Sequence, residues 1–308
     1  MQALLIVNPR ATSTTQGRRD VIARALASSL DLEVVETRYR GHASHVAADA
    51  AKRGYGLVIT LGGDGTVNET VNGLLRDRGG TQPPRLAVLP GGNANVFTRA
   101  LGLASDPVDA TGELLAALAR DSSRPVGLGL AGDRYFCINA GLGLDAEVVR
   151  VVEGLRARGR TATPALYLTT TVRHFWFVTD RRHPALTVER PGKPDLPGLY
   201  CGIVSNTSPW TYLGRRPVNP SPRASFSTGL DLFGLRKLTT LGTLNAVRQM
   251  LPEDGEPPRG RNVASLHDEA TFTFRASRPV AFQLDGEYVG ERECVTFHAI
   301  PNALQVIA

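Results

Sequence analysis

An apolar run that breaks into glycines and an aspartate stands out first: Leu57-Val-Ile-Thr-Leu-Gly-Gly-Asp-Gly-Thr-Val-Asn-Glu69. Glycines at 62, 63 and 65 let the backbone turn sharply and bring N–H groups close to an anion with no Cβ in the way. A helix N-terminus behind them favours negative charge. The chemistry this predicts is phosphate binding. Thr66 is suited to capping that helix or touching a phosphate oxygen, and Asp64 to orienting a ligand or reaching a Mg²⁺ held by the phosphates. An ordinary strand-to-helix turn needs one glycine; three, with an acid among them and Asn68-Glu69 behind, read as a site. A second glycine run, Leu89-Pro-Gly-Gly-Asn-Ala-Asn-Val-Phe97, follows the next apolar stretch. Asn93 and Asn95 offer amides to a base or phosphate there, and helix capping suits Asn93 equally well.

Positioning two such loops together requires neighbouring parallel strands, whose carboxyl ends form one edge. The pattern supplies them. Strand-like runs at 3–7, 32–37, 57–61 and 86–89 alternate with helical periodicity at 17–29, 43–53, 66–76 and 106–119, the last opening with Asp106-Pro107 as cap and first helical residue. This predicts a parallel sheet covered by helices over residues 1–123. After Ser122-Ser123-Arg124-Pro125 the character changes to Val-, Phe-, Tyr- and Thr-rich runs at shorter spacing, with helix-like stretches at 146–153, 164–177 and 237–250 and surface loops at 191–197 and 253–260. Residues 124–308 therefore read as a second, mostly antiparallel β domain. The final run, 303–307, fits a strand of either domain.

A carboxylate is displayed late in the chain. Val280-Ala-Phe-Gln-Leu-Asp-Gly-Glu-Tyr-Val289 reads as a β-hairpin whose Asp285-Gly286 turn puts Glu287 at its tip. A carboxylate on a rigid hairpin can accept a proton, and the same residues can also serve as plain turn chemistry. Two further glycine patterns are weaker. Gly127-Leu-Gly-Leu-Ala-Gly132 precedes a strand, not a helix, and is expected to be a hairpin turn; Gly141-Leu-Gly-Leu-Asp-Ala146 lies outside the alternating region a dinucleotide fold requires.

Composition bounds these readings. With 308 residues, 42% of them hydrophobic and 21% charged, the chain can bury substantial cores and is not globally disordered. Met1-Gln2 leads directly into an apolar strand with no basic segment or cleavage signal, so a cytoplasmic location is expected. Cys137, Cys201 and Cys294 are odd in number and lie in strand-like runs, which predicts buried thiols. The net charge of +6, nearly all of its positive part from Arg, suits phosphate or an anionic membrane surface. No nucleic-acid recognition module is present, so no nucleic-acid partner is expected. Arg173-His-Phe-Trp-Phe177, Arg181-Arg182 and Trp210-Thr-Tyr-Leu-Gly-Arg-Arg216 mix aromatics with arginines as membrane interfaces do, and as core edges do.

Taken together, Gly62-Gly-Asp-Gly-Thr-Val-Asn-Glu69 and Pro90-Gly-Gly-Asn-Ala-Asn-Val-Phe-Thr-Arg-Ala-Leu-Gly-Leu103 resemble the diacylglycerol kinase catalytic-domain family of bacterial lipid kinases, relatives of sphingosine and ceramide kinases. Asn8-Pro9, Thr37 ahead of Gly41-His-Ala43, the 141–146 segment and Leu284-Asp-Gly-Glu287 extend the likeness along nearly the whole chain. The first glycine motif is shared with NAD kinases and phosphofructokinases; the others narrow the family. The resemblance implies an N-terminal α/β ATP-binding domain and a C-terminal β-rich lipid-substrate domain, in an NAD kinase/diacylglycerol kinase-like fold. It implies ATP and Mg²⁺ as cofactors, and phosphorylation of a lipid alcohol by a cytoplasmic enzyme in peripheral contact with an anionic membrane. Carried over residue by residue, it makes Asn8, Thr37, Gly62, Gly63, Asp64, Gly65, Thr66, Val67, Asn68, Gly91, Gly92, Asn93 and Asn95 the nucleotide contacts. Glu287 becomes the catalytic base, and Asp64 a second catalytic carboxylate directed at Mg²⁺ through the phosphates.

Three departures bear on this. The opening Asn-Pro-x-Ser-Gly is here Asn8-Pro-Arg-Ala-Thr12, and Asn93 stands where Thr is commoner. Where relatives carry an Asp that helps hold an auxiliary Mg²⁺, the segment Ser225-Phe-Ser-Thr-Gly-Leu-Asp231 puts Thr228, a far poorer ligand. The rival readings are an NAD kinase, argued against by the 90–103 loop and Asp285-Gly-Glu287, and a catalytically silent nucleotide- or lipid-binding protein.

Overall fold

The computed structural model describes residues 1–11, 13–76, 82–158, 164–177, 179–214 and 216–308. Thr12 and Arg215 of the motifs above lie outside the described residues. The chain forms two units, Met1–Val126 with Asn302–Ala308, and Gly127–Pro301.

The first unit contains β1 (Gln2–Val7), α1 (Gln16–Ala27), β2 (Asp31–Glu36), α2 (His42–Arg53), β3 (Leu57–Gly62), α3 (Asp64–Leu74), β4 (Arg85–Pro90), α4 (Val96–Ala100) and α5 (Pro107–Ala119). Its strands are parallel in the order β2-β1-β3-β4. Val306 completes the sheet, pairing in parallel with Leu86. Every residue of β3 is buried, the mark of a central strand covered on both faces. Ile22 and Leu26 of α1 and Ala110, Leu114 and Ala117 of α5 pack with Leu5, Ile59, Leu89 and Ile307 in one core. Asp106 accepts from Val108 N at 2.8 Å and caps α5, with Pro107 at its first position. The helix expected at 66–76 starts two residues earlier, because Gly63 takes the extended N-cap conformation and draws Asp64 and Gly65 into the first turn.

The second unit continues with β5 (Arg124–Ala131), β6 (Arg134–Phe136), β7 (Asn139–Gly143), α6 (Leu144–Ala157), α7 (Pro164–Phe177), β8 (Leu186–Arg190), β9 (Lys193–Leu199), β10 (Cys201–Ser205), β11 (Thr211–Leu213), β12 (Arg216–Val218), β13 (Leu230–Leu235), α8 (Thr240–Gln249), β14 (Val263–Glu269), β15 (Thr271–Leu284) and β16 (Glu287–Val306). Its antiparallel sheet runs β14-β13-β10-β7-β15-β16. Alternation splits the strands between two cores. Val204, Leu230 and Leu232 face a cluster holding Phe136, Phe272, Phe274 and Phe297. Ile203, Phe233 and Leu235 face the other way, toward Val148 of α6, Phe175 of α7 and Ala246 of α8.

The glycines at 127–132 have packing reasons. A Cβ on Gly127 would lie 2.6 Å from the Phe226 carbonyl oxygen, one on Gly129 would meet the Phe136 ring, and Gly132 turns the β5–β6 hairpin at φ 63°. Of the three cysteines, Cys137 and Cys201 are buried, and burial pushes the Cys201 thiol up to about 12. Cys294 departs from expectation: it is exposed, in a stretch of β16 whose residues 291–294 all face solvent.

Candidate active site

Four parallel strands deliver the first group of residues to one edge of the first unit. Asn8 follows β1 and donates from its backbone to Leu61 O at 3.0 Å; Thr37 follows β2 and donates likewise to Val7 O at 2.8 Å. The two glycine loops follow β3 and β4. They touch backbone to backbone. Gly91 N donates to Gly62 O at 2.8 Å, a Cβ on Gly91 would sit 2.8 Å from Gly62 Cα, and one on Gly92 would sit 2.7 Å from Gly63 Cα. Any side chain at these positions would push the loops apart. Gly65 differs, having nothing within 4 Å of the position a Cβ would take. The fold needs no glycine there for packing, and the open space lies at the first turn of α3, where helix N–H groups favour an anion.

Polar bonds lock the loops in place. Asp64 accepts from Val96 N at 3.1 Å and Phe97 N at 3.0 Å, capping α4 from the opposite loop. Asn95, in the left-handed region at φ 46°, closes its own turn by accepting from Gly92 N and donating to Gly92 O. Asn8 Nδ2 donates to Thr66 Oγ1 at 3.2 Å. Asn93 is exposed beside them. Val67 and Asn68 are each 2% exposed and face the unit's interior, and the amides of Thr66 and Val67 donate to Gly63 O. Asp64, expected as a metal-directed carboxylate, thus stands as the clamp between the two loops, with both oxygens on backbone donors. Glu69, which closes the first glycine motif, accepts from Gly41 N and Ala43 N and fixes the start of α2.

The second unit carries the other expected residue. Asp285 and Gly286, at φ 47° and 79°, form the two-residue turn joining Leu284 to Glu287, as an Asp-Gly hairpin should. Asp285 is held by three consecutive amides, Cys137 N at 2.7 Å, Ile138 N at 2.9 Å and Asn139 N at 3.0 Å. Gly286 N donates to Gln283 Oε1 at 2.8 Å, while Gln283 Nε2 donates to Asn139 Oδ1 and to Asp145 Oδ2. Asp145 is half-buried, and desolvation raises its carboxyl to about 6 against the hydrogen bond from Gln283. Arg134 grips Glu287 with both ends of its fork, Nη2 to Oε2 at 2.5 Å and Nη1 to Oε1 at 3.3 Å. The partners of Arg134, Gln283 and Asp145 escaped the sequence reading, since no local motif ties Arg134 to a glutamate 153 residues away.

The residues around Thr228 do not fit a metal. Its hydroxyl accepts from Ser225 N and donates to Ser225 O, so the turn closes on itself. Nearby, Asp268 accepts from Gly229 N at 2.6 Å, and buried Asp231 meets His267 Nδ1 at 2.7 Å. Among the described residues no group of three or more His, Cys, Asp or Glu side chains is placed to hold an ion.

Residues 2–130 match the model of the diacylglycerol kinase catalytic domain. The chain is 36% identical over 305 residues to a diacylglycerol kinase of Bacillus subtilis, spanning 94% of this chain and 90% of that one. It is 35% identical over 144 residues to a probable YegS-like lipid kinase of Chromohalobacter salexigens, covering 47% of this chain and 44% of that one. A solved structure of a putative diacylglycerol kinase from Bacillus anthracis superposes with a TM-score of 0.76 over 99% of this chain and 96% of the other, at 22% identity, and shows the shared fold. With loop glycines fixed by backbone contact and a relative aligned along almost its whole length, the chain belongs to the diacylglycerol kinase family of lipid kinases.

Proposed function

We propose that the protein transfers the γ-phosphoryl group of ATP to the hydroxyl of a diacylglycerol-like lipid, giving a phosphatidic-acid-like product and ADP. ATP as donor follows from membership in a kinase family. The observation that carries the reading is the backbone-to-backbone seating of Gly62-Gly63 on Gly91-Gly92 beside the open side of Gly65, a cradle with room for phosphate. Gly62, Gly63, Gly65, Gly91 and Gly92 supply its surface, Asn8, Thr66 and Asn95 keep it in shape, and Thr37 and Asn93 flank it. Glu287 takes the proton as the acceptor oxygen forms its bond to the γ-phosphorus and the bond to the β-phosphate oxygen breaks. Mg²⁺ would enter with ATP and neutralise charge on the phosphate oxygens; among the described residues no group of three or more His, Cys, Asp or Glu side chains is placed to hold it alone. Most of the rate then comes from holding donor and acceptor in line.

A lipid acceptor requires contact with a bilayer. Leu241, Leu244 and Val247 on α8, 82%, 60% and 42% exposed, support such contact, as does Trp176 beneath Arg181. No helix among the described residues is long and apolar enough to cross a membrane.

The test is ATP consumption by purified protein with Mg²⁺, against lipid alcohols in mixed micelles and NAD as a soluble control. The expected result is a diacylglycerol-dependent signal that Glu287→Gln reduces by about 100-fold or more, the span of general-base contributions, with ATP affinity little changed. NADP formation would replace the lipid reading with the rival kinase. ATP binding without turnover on any acceptor would leave a binding protein.

A further inference from the structure

We infer that Arg134 is a positioning residue for the phosphoryl transfer: its guanidinium, built into the same segment that anchors the Asp285-Gly286 turn, holds the Glu287 carboxylate in a single orientation. The inference rests on the proposed role of Glu287 as base and goes beyond it, since neither a motif nor a relative's name points to this arginine.

Glu287 alone would make a poorly aimed base. Its side chain has three rotatable bonds and is 27% exposed, so solvent reaches it from one side. An exposed glutamate samples several rotamers, whereas proton transfer needs the carboxylate within hydrogen-bond reach of one hydroxyl. Arg134 removes that freedom. The two parallel bonds to Oε1 and Oε2 match the planar fork of guanidinium to the plane of the carboxylate, which fixes direction as well as distance. Lysine, a single point of charge, cannot impose the same plane.

The place of Arg134 in the chain makes the arrangement stiff. It opens β6, which pairs with β5 through Ala131, and three residues later the chain presents the amides of Cys137, Ile138 and Asn139 to Asp285. One short segment therefore grips the turn twice, by backbone at Asp285 and by guanidinium at Glu287. Gln283, 1% exposed, holds the remaining corner through Gly286 N. The neighbours of the pair are charged too: Glu153 of α6 accepts from Tyr288 N at 3.0 Å, and Arg150 lies 5.9 Å over the Tyr288 ring. Charged side chains of α6 thus surround the residue that follows Glu287, while Arg134 holds the glutamate itself through both carboxylate oxygens.

The experiment compares Arg134→Gln, Arg134→Lys and Arg134→Ala with wild type and Glu287→Gln, on long-chain diacylglycerol in mixed micelles, with thermal melts of every variant. Arg134→Gln is expected to lower kcat by about 10- to 100-fold, the penalty of a misaimed group, with KM for ATP within about twofold. Arg134→Lys should fall between it and wild type. Added guanidinium should raise kcat of Arg134→Ala severalfold and leave Glu287→Gln unmoved, which a merely structural arginine would not allow. Wild-type or faster turnover in Arg134→Gln overturns the inference, as does a loss that follows the melting temperature and resists guanidinium. The two readings fail separately: an active Glu287→Gln removes the base itself, whereas an inactive Glu287→Gln beside an unaffected Arg134→Gln removes only the arginine's role.

Discussion

The glycine loops of the first unit and the Asp285-Gly286-Glu287 turn of the second are both tight turns, yet they are held by opposite means. At the loops, four glycines place backbone on backbone, and the contacts run between segments about thirty residues apart. The turn is held by charge: a carboxylate on three amides, a buried glutamine on a fourth, and an arginine on the glutamate, all from partners more than a hundred residues away except Gln283. A site fixed by absent side chains is intolerant of added volume. One fixed by polar groups is intolerant of their loss.

That contrast can be broken by exchange of insults. The largest effect is expected at Asp285→Ala, which leaves three amides without an acceptor among Cys137, Ile138 and Asn139, all at least 94% buried. At about 1–3 kcal/mol for each orphaned donor, urea denaturation should show a loss of about 3 kcal/mol or more. A loss below about 1 kcal/mol would mean that the turn is held by its own conformation. Gly91→Ala comes next. Its new Cβ would stand 2.8 Å from Gly62 Cα, and overpacking of this kind costs about 1–3 kcal/mol. Here the loss should appear mainly as weakened ATP binding in calorimetry, because the loops must part.

The comparison also shows where sequence reading reaches its limit. Gly62, Gly63, Gly91 and Gly92 were legible because glycine declares its geometry within its own residue, and the alternating strands and helices told which edge would carry them. The Asp285-Gly286 turn was legible for the same reason. Asp64 is only half legible: an acid inside a phosphate-like loop suggests a metal, and only the fold reveals the α4 amides it also holds. The partners of Arg134 and Asp145 are not legible, although Asp145 lies in the 141–146 motif, since they depend on strands paired across more than a hundred residues. The auxiliary-metal question turned on Thr228, and a hydroxyl bonding back to its own turn is invisible in residue type alone.

Asp145 sharpens the charge side of the contrast. Its carboxyl is raised from 3.8 to about 6 by burial, so between those values the folded state binds a proton that the unfolded state has released. Stability from this group is full below pH 4 and falls as pH rises through 6. Asp145→Asn removes the penalty, and by pH 7 the variant should be more stable than wild type by about 2–3 kcal/mol, with no difference near pH 4. Urea melts across pH 4–7 measure this; a constant difference would mean that the carboxylate is not desolvated. The smallest effect is expected at Asp64→Asn, which keeps one acceptor for α4 but loses its charge. A loss of about 1 kcal/mol, with a severalfold rise in KM for ATP, would separate a clamp from a catalytic carboxylate, whose replacement should lower kcat instead.

The first unit is not a continuous stretch of chain, because Asn302–Ala308 complete it. During synthesis this orders events. Residues 1–126 leave the ribosome long before Val306 can pair with Leu86 or Ile307 can enter the core beside Leu5 and Ile59. Until then β4 presents an open strand edge, the kind of template that nucleates aggregation. The first unit, although translated first, is thus finished last, and a nascent chain stalled before residue 302 would keep that edge open to the encounters chaperones guard against.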